Sequence, residues 1–170
     1  MLAYGGGDSG AFDRLYARHK GPLYRLLLRS VRERGVAEEL YQEIWMRVIE
    51  ARSRYTVQAK FTTWLFTIAH NRLADHWKKR GLKLVELDGE DPPAAPEYEP
   101  AAQAEARQSA ARLAAALAVL PEAQREAFLL YEEAGMSIAE IAAATGANEQ
   151  AAKSRLRYAV AKLKEALADG

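Results

Sequence analysis

Apolar residues recur at helical spacing through most of this 170-residue chain, and no run of alternating apolar and polar residues predicts a β-strand. In the first half, apolar positions three and four residues apart predict helices over residues 11–34, 36–54 and 61–80. Such spacing places the apolar side chains on one face of each helix. In the second half, the same reasoning predicts an alanine-rich helix over residues 101–117 and a helix that ends near Tyr131. The predicted fold class is therefore all-α.

Glycine and proline set the predicted helix boundaries. Gly35 is expected to end the first helix, and Gly21 with Pro22 to bend it, because proline removes a helical hydrogen bond. Pro121 is well placed in a first helical turn, where its missing N–H is not needed. The three glycines at 5–7 predict a flexible N-terminus.

Residues 137–156 predict two short helices joined by a tight turn. Ser137 and Glu140 have the spacing of a capping box, which starts a helix. Gly146 is expected to end that helix, because glycine adopts the left-handed conformation at little cost. Asn148 is a favourable N-cap for the next helix. This is the helix-turn-helix layout, whose second helix enters the major groove of duplex DNA.

Basic residues on the second helix of this pair favour DNA binding. Lys153, Arg155 and Arg157 are left near the outside once Ala152 and Leu156 pack inward. The alternative is a helical hairpin whose basic residues contact only solvent, since such hairpins are common. The pattern by itself favours DNA without excluding that alternative.

A proline-rich acidic segment divides the chain. Four of the six prolines and six acidic residues fall within residues 86–100. Proline interrupts helices, and like charges keep a segment extended. Residues 81–103 are therefore predicted to be a linker of 23 residues, which could span roughly 75 Å. The linker joins two small helical domains, predicted over residues 1–80 and 104–170.

Charge is distributed unevenly, although the net charge is only +1. Residues 1–80 carry a net charge of +7, residues 81–112 of −4 and residues 113–170 of −2. In the last of these blocks, the basic residues lie mainly after residue 152. Two basic surfaces separated by an acidic stretch indicate two contacts with a polyanion.

The composition excludes several kinds of site and function. The chain has no cysteine, which excludes disulfide scaffolds, cysteine metal sites and cysteine nucleophiles. No signal peptide or membrane-spanning run is evident, so a cytoplasmic protein is expected. His70 and His76 are six residues apart and face different directions on a helix, and no catalytic motif is present. We therefore expect no metal site, no cofactor and no enzymatic activity.

The predicted helix over residues 61–80 interleaves aromatic residues with basic and amide side chains. Unpaired bases stack on aromatic side chains, while cations neutralise the phosphates between them. The alternative is that Trp64, Phe66 and Trp77 belong to the core. The side chains on the arc opposite the core are Thr67, Asn71, Asp75 and Lys78. This arc leads into Lys79 and Arg80, which favours binding of single-stranded nucleic acid.

The outward side of the predicted helix over residues 36–54 is acidic, with Met46 at its centre. Glu39, Gln42 and Glu43 surround the methionine on a helical wheel. An exposed apolar residue among polar ones often marks a protein–protein contact. A solvated acidic face is the alternative.

Taken together, these segments resemble bacterial RNA polymerase sigma factors of the extracytoplasmic-function group, within the sigma-70 superfamily. The matching stretches are residues 12–16, 36–45, 61–71, 120–122, 137–142 and 153–156. They occur in the family's order and cover both predicted domains, on either side of the acidic linker. A single helix-turn-helix is weakly specific, whereas this combination is highly specific.

The resemblance implies a role for each of the three surfaces. The first domain would bind the clamp helices of the largest polymerase subunit through Glu39, Leu40, Gln42, Glu43 and Met46. The −10 promoter element would be melted and read on the displaced strand by Lys60, Phe61, Trp64, Thr67, Asn71, Asp75, Lys78, Lys79 and Arg80. Asn71 and the loop before Phe61 would lie nearest the flipped base. The −35 element would be read as duplex by Ser137, Gln150, Lys153, Ser154, Arg155, Arg157 and Tyr158.

The resemblance also implies partners. These are core RNA polymerase, including the flap of its second-largest subunit, promoter DNA, and an anti-sigma factor that holds the protein inactive. The chain would be a transcription initiation factor and not an enzyme. It departs from the family at Ala152, where valine is usual, and at Tyr158 and Val160, where arginine is usual. Its recognition helix is therefore less basic than usual, which should weaken its contacts with phosphates.

Two rival functions stay open on the residues alone. A self-sufficient helix-turn-helix regulator would bind duplex DNA tightly without polymerase, usually as a dimer, but the sequence has no dimer-forming heptad. A nucleic-acid hydrolase would need a carboxylate or histidine metal cluster, and no such residues occur at workable spacing.

Overall fold

A computed structural model of the chain describes residues 1–83 and 101–168, and within these ranges all regular structure is helical. The helices are α1 (Leu2–Gly5), α2 (Ser9–Val31), α3 (Arg34–Glu50), α4 (Phe61–Lys83), α5 (Ala101–Ala118), α6 (Glu122–Ala134), α7 (Ile138–Thr145) and α8 (Glu149–Ala168). The predicted all-α fold is confirmed. Residues 84–100 of the predicted linker lie outside the described residues, and its two ends are helical, in α4 and α5.

The boundary between α2 and α3 differs from the sequence prediction. α2 continues through Pro22 and ends just before Arg32, which adopts a left-handed conformation with φ of 65°. Gly35, expected to end the first helix, lies in the first turn of α3 instead. Arg125, from the other half of the chain, donates to the carbonyl of Ser30 in the last turn of α2. A distant contact therefore supports this helix end, whose carbonyls lack partners within the helix.

α2, α3 and α4 bury the apolar faces that their sequences predict. Fully buried side chains of the three helices include Leu27, Ile44 and Leu65. An aromatic cluster extends this core, since the rings of Phe12 and Tyr16 lie 5.9 and 5.0 Å from that of Trp45. Aromatic pairs at these separations stabilise beyond the area they bury.

The N-terminus, expected to be flexible, forms the single helical turn α1 and packs on this aromatic cluster. The Tyr4 side chain is 9% exposed, and its ring lies 5.0 Å from that of Phe12. The three glycines follow or end this turn rather than preventing it. The aromatic contact, which the local glycine content does not reveal, explains the difference.

The C-terminal half has a core of small side chains. The alanines buried in α7 and α8 are Ala142, Ala144, Ala152 and Ala159. Leu129 and Leu130 of α6 and Leu163 of α8 complete this core. Small residues at the contact let the helices approach closely, because interhelical distance depends on the side chains between them.

The two halves of the chain are docked together. α6 packs against α2, and α7 packs against α4. One continuous apolar cluster includes residues from both halves. The docking places the helix-turn-helix beside the helix that the sequence predicts to read the −10 element.

Candidate nucleic-acid interface

The helix-turn-helix is formed by α7 and α8, with the predicted capping residues in place. Ser137 N–H donates to Glu140 Oε2 at 2.8 Å, and Glu140 N–H donates to Ser137 Oγ at 3.2 Å. Gly146 follows α7 with φ of 64°. Asn148 Oδ1 accepts from Ala151 N–H at 2.8 Å. The predicted capping box, glycine turn and N-cap are confirmed.

The recognition helix α8 presents part of its predicted set to solvent. Gln150, Lys153 and Arg157 are exposed and follow one another at three and four residues, so they share one face of the helix. Tyr158 is 51% exposed, and the Arg157 guanidinium lies 5.2 Å from the centre of its ring. Three exposed polar side chains on one face of a helix can hydrogen-bond the edges of bases in the major groove.

Two other members of the −35 set are less accessible. Ser154 and Arg155 are half-buried, on the side of α8 that faces the rest of the protein. Ser137 is exposed, but its hydroxyl caps α7. The less basic recognition helix therefore offers two exposed cations, Lys153 and Arg157, within the predicted set.

The predicted arc on α4 is partly free. Asn71 and Lys78 are exposed. Thr67 is half-buried, and its hydroxyl donates to the Thr63 carbonyl at 2.7 Å. Asn71 and Lys78 are thus the arc residues best placed to meet a nucleic acid.

The end of α4 carries further charges. Asp75 pairs with Arg72 at 2.6 Å, and Arg80 pairs loosely with Glu33 at 3.5 Å. Lys79 is exposed. Surface pairs of this kind stabilise little, so these cations can exchange their carboxylate partners for phosphates.

The α3–α4 loop, residues 51–60, folds back onto α4 through an aromatic contact. The ring of Tyr55 lies 4.9 Å from that of Trp64 and 6.4 Å from that of Phe61. Burial raises the pKa of the Tyr55 hydroxyl. Trp64 and Phe61 are both half-buried, so each packs on the domain while keeping part of its ring accessible.

A cleft of about 400 Å³ opens between the end of α3, the α3–α4 loop and α4. Its lining includes Arg47, Arg54, Tyr55, Gln58 and Trp64. Aromatic rings, guanidinium groups and amides are the groups that bind an unpaired base by stacking and edge hydrogen bonds. The cleft therefore has the chemistry of a pocket for a splayed-out base.

Of the residues that line this cleft, the site prediction named only Trp64. It placed the loop before Phe61 near the flipped base, but it omitted the polar and aromatic lining residues Arg47, Arg54, Tyr55 and Gln58. The sequence does contain a pattern that indicates nucleic-acid binding in this loop, because residues 52–55 alternate basic and polar side chains before an aromatic one. The loop has no helical period, so the pattern that located α4 did not extend to it.

The outward face of α3 is exposed as predicted. Glu39, Gln42 and Glu43 are exposed, and Met46 is 53% exposed. Leu40, assigned to the same surface, is only 7% exposed and packs in the core. It supports this face from beneath and offers little surface to a partner.

A buried carboxylate joins the two docked halves. Glu133 of α6, with its side chain 8% exposed, pairs with Arg25 at 2.6 Å and also with Arg29, both on α2. Charge-assisted pairs that are partly shielded from water are stronger than exposed ones. Glu133 is therefore a principal polar contact between the halves.

Two further polar contacts connect the N-terminal half with the C-terminal half, and the first of them joins the two candidate DNA-reading elements directly. Lys60, predicted to contact the −10 element, pairs with Glu140 of the capping box at 2.8 Å. His70 Nδ1 lies 2.7 Å from Glu126 Oε1. The hydrogen bond with Glu126 raises the pKa of His70, against the opposing effects of burial and of Arg155. Residues of both DNA-reading elements are thus engaged with each other.

Within residues 1–83 and 101–168, no group of three histidine, aspartate or glutamate side chains could hold a metal ion. No helix in the same ranges is sufficiently long and apolar to cross a membrane.

Comparison with protein families matches both halves of the chain. A family described as Sigma-70 region 2 matches residues 15–82, and a family described as Sigma-70, region 4 matches residues 110–163. The two matched segments correspond to the two docked halves.

Similar proteins include the RNA polymerase sigma factor CarQ of Myxococcus xanthus, 34% identical over 170 residues that cover 99% of this chain and 96% of CarQ. The ECF RNA polymerase sigma factor BldN of Streptomyces coelicolor is 33% identical over 169 residues. That alignment covers 96% of this chain and 62% of BldN, so this chain spans less than two thirds of that relative.

Solved structures with a similar fold include CnrH in complex with the cytosolic domain of CnrY. It has a TM-score of 0.71 and 25% identity, and the match covers 97% of this chain and 92% of CnrH. The sigma factor RpoE of Bartonella quintana, in complex with the anti-sigma factor NepR, has a TM-score of 0.75 and 24% identity. That match covers 92% of this chain and 96% of RpoE, and it concerns the fold.

Proposed function

The chain belongs to the extracytoplasmic-function group of RNA polymerase sigma factors, and we propose that α8 reads the −35 element while α4 and the α3–α4 loop read the melted −10 element. A sigma factor is a transcription initiation factor and not an enzyme, so the polymerase performs the chemistry. The observation that carries the assignment of residues is the cleft beside α4, lined by Arg54, Tyr55 and Trp64.

In this proposal, one base of the displaced strand enters the cleft. Trp64 and Tyr55 offer ring faces for stacking, which is worth roughly 1–3 kcal/mol per base. Arg47 neutralises the neighbouring phosphates, Arg54 reaches the edge of the unpaired base, and Asn71, exposed on α4, hydrogen-bonds another base edge. Pairing in duplex DNA hides the base from all of these groups, so the cleft selects melted DNA.

The −35 element is read by the exposed face of α8. Gln150 supplies an amide for a base edge, and Lys153 and Arg157 meet guanine or the backbone. This set has two exposed cations, so we expect the affinity for −35 duplex DNA to depend only weakly on salt. Each phosphate contact changes the slope of log K against log salt concentration by about 0.9.

The outer face of α3 is the proposed surface for the polymerase clamp helices. Met46, 53% exposed among Glu39, Gln42 and Glu43, gives an apolar centre with an acidic rim. That arrangement is typical of protein interfaces, whose centres are apolar and whose rims are polar. Polymerase binding then supplies affinity that the weakly basic α8 lacks, because two linked contacts reinforce each other.

The docked halves must separate for both promoter elements to be read together. The −10 and −35 elements lie roughly 25 base pairs apart, or ~85 Å along B-form DNA. In the docked form, Lys60 of one reader is paired with Glu140 of the other. The 17 residues between α4 and α5 reach up to ~56 Å, which together with the size of the two domains is sufficient.

We also infer an anti-sigma partner, because RpoE was solved with the anti-sigma factor NepR, and CnrH with the cytosolic domain of CnrY. A regulator that bound both halves at once would stabilise the docked form and so oppose promoter reading. A protein that acts on promoter DNA works in the bacterial cytoplasm.

The experiment that tests the function is reconstituted transcription. The purified protein and core polymerase are incubated with a library of upstream fragments from the source genome, and transcripts are sequenced. We expect a small set of promoters that share −35 and −10 sequences. If no fragment responds, or if the protein alone shifts those fragments tightly without polymerase, the proposal is wrong and a self-sufficient regulator is favoured.

A further inference from the structure

α1 lies against the first turn of the α3–α4 loop. The guanidinium carbon of Arg52 lies 5.2 Å from the centre of the Tyr4 ring. A guanidinium over an aromatic face is attracted by the ring electrons. Because Tyr4 is 9% exposed and its ring packs on Phe12, the ring is a fixed platform for Arg52.

The backbones of α1 and the loop also approach each other closely. A Cβ atom added at Gly5 would lie 2.7 Å from the carbonyl oxygen of Arg52. Non-bonded atoms at such a distance repel strongly, and the neighbour is backbone, which cannot rotate away. Gly6 differs, since an added Cβ there would lie 3.5 Å from the carbonyl oxygen of Ala3, an ordinary contact.

The turn held by α1 leads directly into the cleft beside α4. Ala51 and Arg54 line this cleft, and Arg52 lies between them in the same turn, residues 51–54. The far end of the loop is attached to α4, where Tyr55 packs on Trp64. The loop therefore has two attachment points, and one of them is the N-terminal helix.

We propose that α1 is a positioning element for −10 recognition, in which Tyr4 and Gly5 fix the turn at residues 51–54 and thereby place Arg54 at the unpaired base. The proposal rests on the proposed function, because it concerns the specificity of that same cleft. Small errors in the position of a recognition group have large effects, since a displacement of about 1 Å can lower a rate roughly a hundredfold. α1 is a single turn at the edge of the domain, so its displacement shifts the loop without removing a core helix.

The test compares Gly5→Ala with Gly6→Ala in the full-length protein bound to core polymerase. The template pool derives from a promoter that responds to the wild-type protein, with the −10 positions randomised in one set and the −35 positions in another. Transcripts are sequenced to give the base preference at each position. We expect Gly5→Ala to lose roughly tenfold in discrimination at one or more −10 positions, with the −35 preferences unchanged. Gly6→Ala should match the wild type at both elements.

Two more variants keep the test decisive if Gly5→Ala does not fold. Arg52→Ala removes the loop side of the contact and leaves α1 intact, and Tyr4→Leu keeps an apolar side chain while removing the ring. Each should relax −10 discrimination in the same direction as Gly5→Ala. Unchanged −10 preferences in Arg52→Ala and Tyr4→Leu would overturn the inference, as would an equal loss at −10 and −35. A wild-type protein that directs no transcription would instead contradict the proposed function.

Discussion

In the helix-turn-helix, each capping contact joins residues no more than four positions apart, whereas the proposed −10 reader is built from separate parts of the N-terminal half. Ser137 caps α7 through Glu140, three residues on. The loop that leads into α4 is held instead by Tyr4, about fifty residues away in sequence. The first reader is specified locally, and the second depends on the tertiary fold.

The difference extends to what surrounds each reader. α7 and α8 meet through alanines such as Ala142 and Ala152, which leave no room for adjustment. The −10 cleft is bordered by large side chains, including Tyr55 and Trp64, on a loop with two attachments. We expect the −35 reader to respond to changes in packing, and the −10 reader to changes in contacts from elsewhere in the domain.

The largest effect is expected from removing a cation at the −10 cleft. Arg54→Ala should lower transcription from a cognate promoter by at least about tenfold, because the cleft loses a phosphate or base contact. Arg34→Ala is the matched control, since Arg34 is exposed and pairs with Glu38 on the surface of α3. Run-off transcription with core polymerase measures both variants, and equal losses would remove Arg54 from the proposed site.

The next effect tests the tight packing behind the −35 reader. Ala152 is fully buried, so Ala152→Leu should lower the free energy of unfolding by roughly 1–3 kcal/mol through overpacking. The same substitution at Ala161, which is exposed on α8, should be close to neutral. Urea denaturation followed by circular dichroism compares the two, and a neutral Ala152→Leu would show that α7 and α8 are loosely packed.

A smaller effect is expected at the contact between the halves. Glu133→Ala removes the buried carboxylate that pairs with Arg25 and Arg29, so the docked form should weaken and the half-buried Arg155 of α8 should become more available. We expect the affinity for −35 duplex DNA without polymerase to rise by about fivefold, because a shielded pair contributes about 1 kcal/mol to docking, the upper end of the range for exposed pairs. Glu132→Ala makes the same change of charge at an exposed neighbour. Fluorescence anisotropy should show no such rise for Glu132→Ala, and a rise of equal size would attribute the effect to charge alone.

The smallest effect is a dependence of docking on pH. The pKa of His70 is raised above its ordinary value of 6.5, chiefly by the hydrogen bond with Glu126. Docking therefore gains the full contribution of this pair below pH 6.5 and loses it as the pH rises through the raised pKa. His70→Asn should flatten the dependence. Hydrogen exchange at α6 and α4 between pH 6 and 8 would report it, and greater protection at high pH would contradict the assignment.

Features that depend on short-range contacts were predicted from the sequence, whereas features that depend on distant contacts were not. The capping box, the Gly146 turn and the Asn148 N-cap are short-range features, and the sequence predicted them. The end of α2 was predicted wrongly at Gly35, since the helix ends at the left-handed Arg32, and Arg125 donates to this last turn from 95 residues away. No local pattern encodes a hydrogen bond of that range.

The candidate site shows the same limit. Asn71, Lys78 and the acidic face of α3 were located by helical spacing, and these side chains are exposed. Arg47 and Arg54 were missed, because they become neighbours of Trp64 only when the α3–α4 loop folds back. The docking of Lys60 on Glu140 joins two segments that the sequence assigned to separate domains. The assignment of individual bases and contacts stays a prediction.

A distance measurement shows most directly whether the two proposed readers, docked in the free protein, separate on the promoter. The chain has no cysteine, so Arg18→Cys and Lys164→Cys, both at exposed positions on α2 and α8, give two specific sites for spin or fluorescent labels. We expect one defined distance in the free protein and an increase of tens of ångströms in the active complex with polymerase and promoter, whose two elements lie ~85 Å apart. An unchanged distance in a transcriptionally active complex would contradict it.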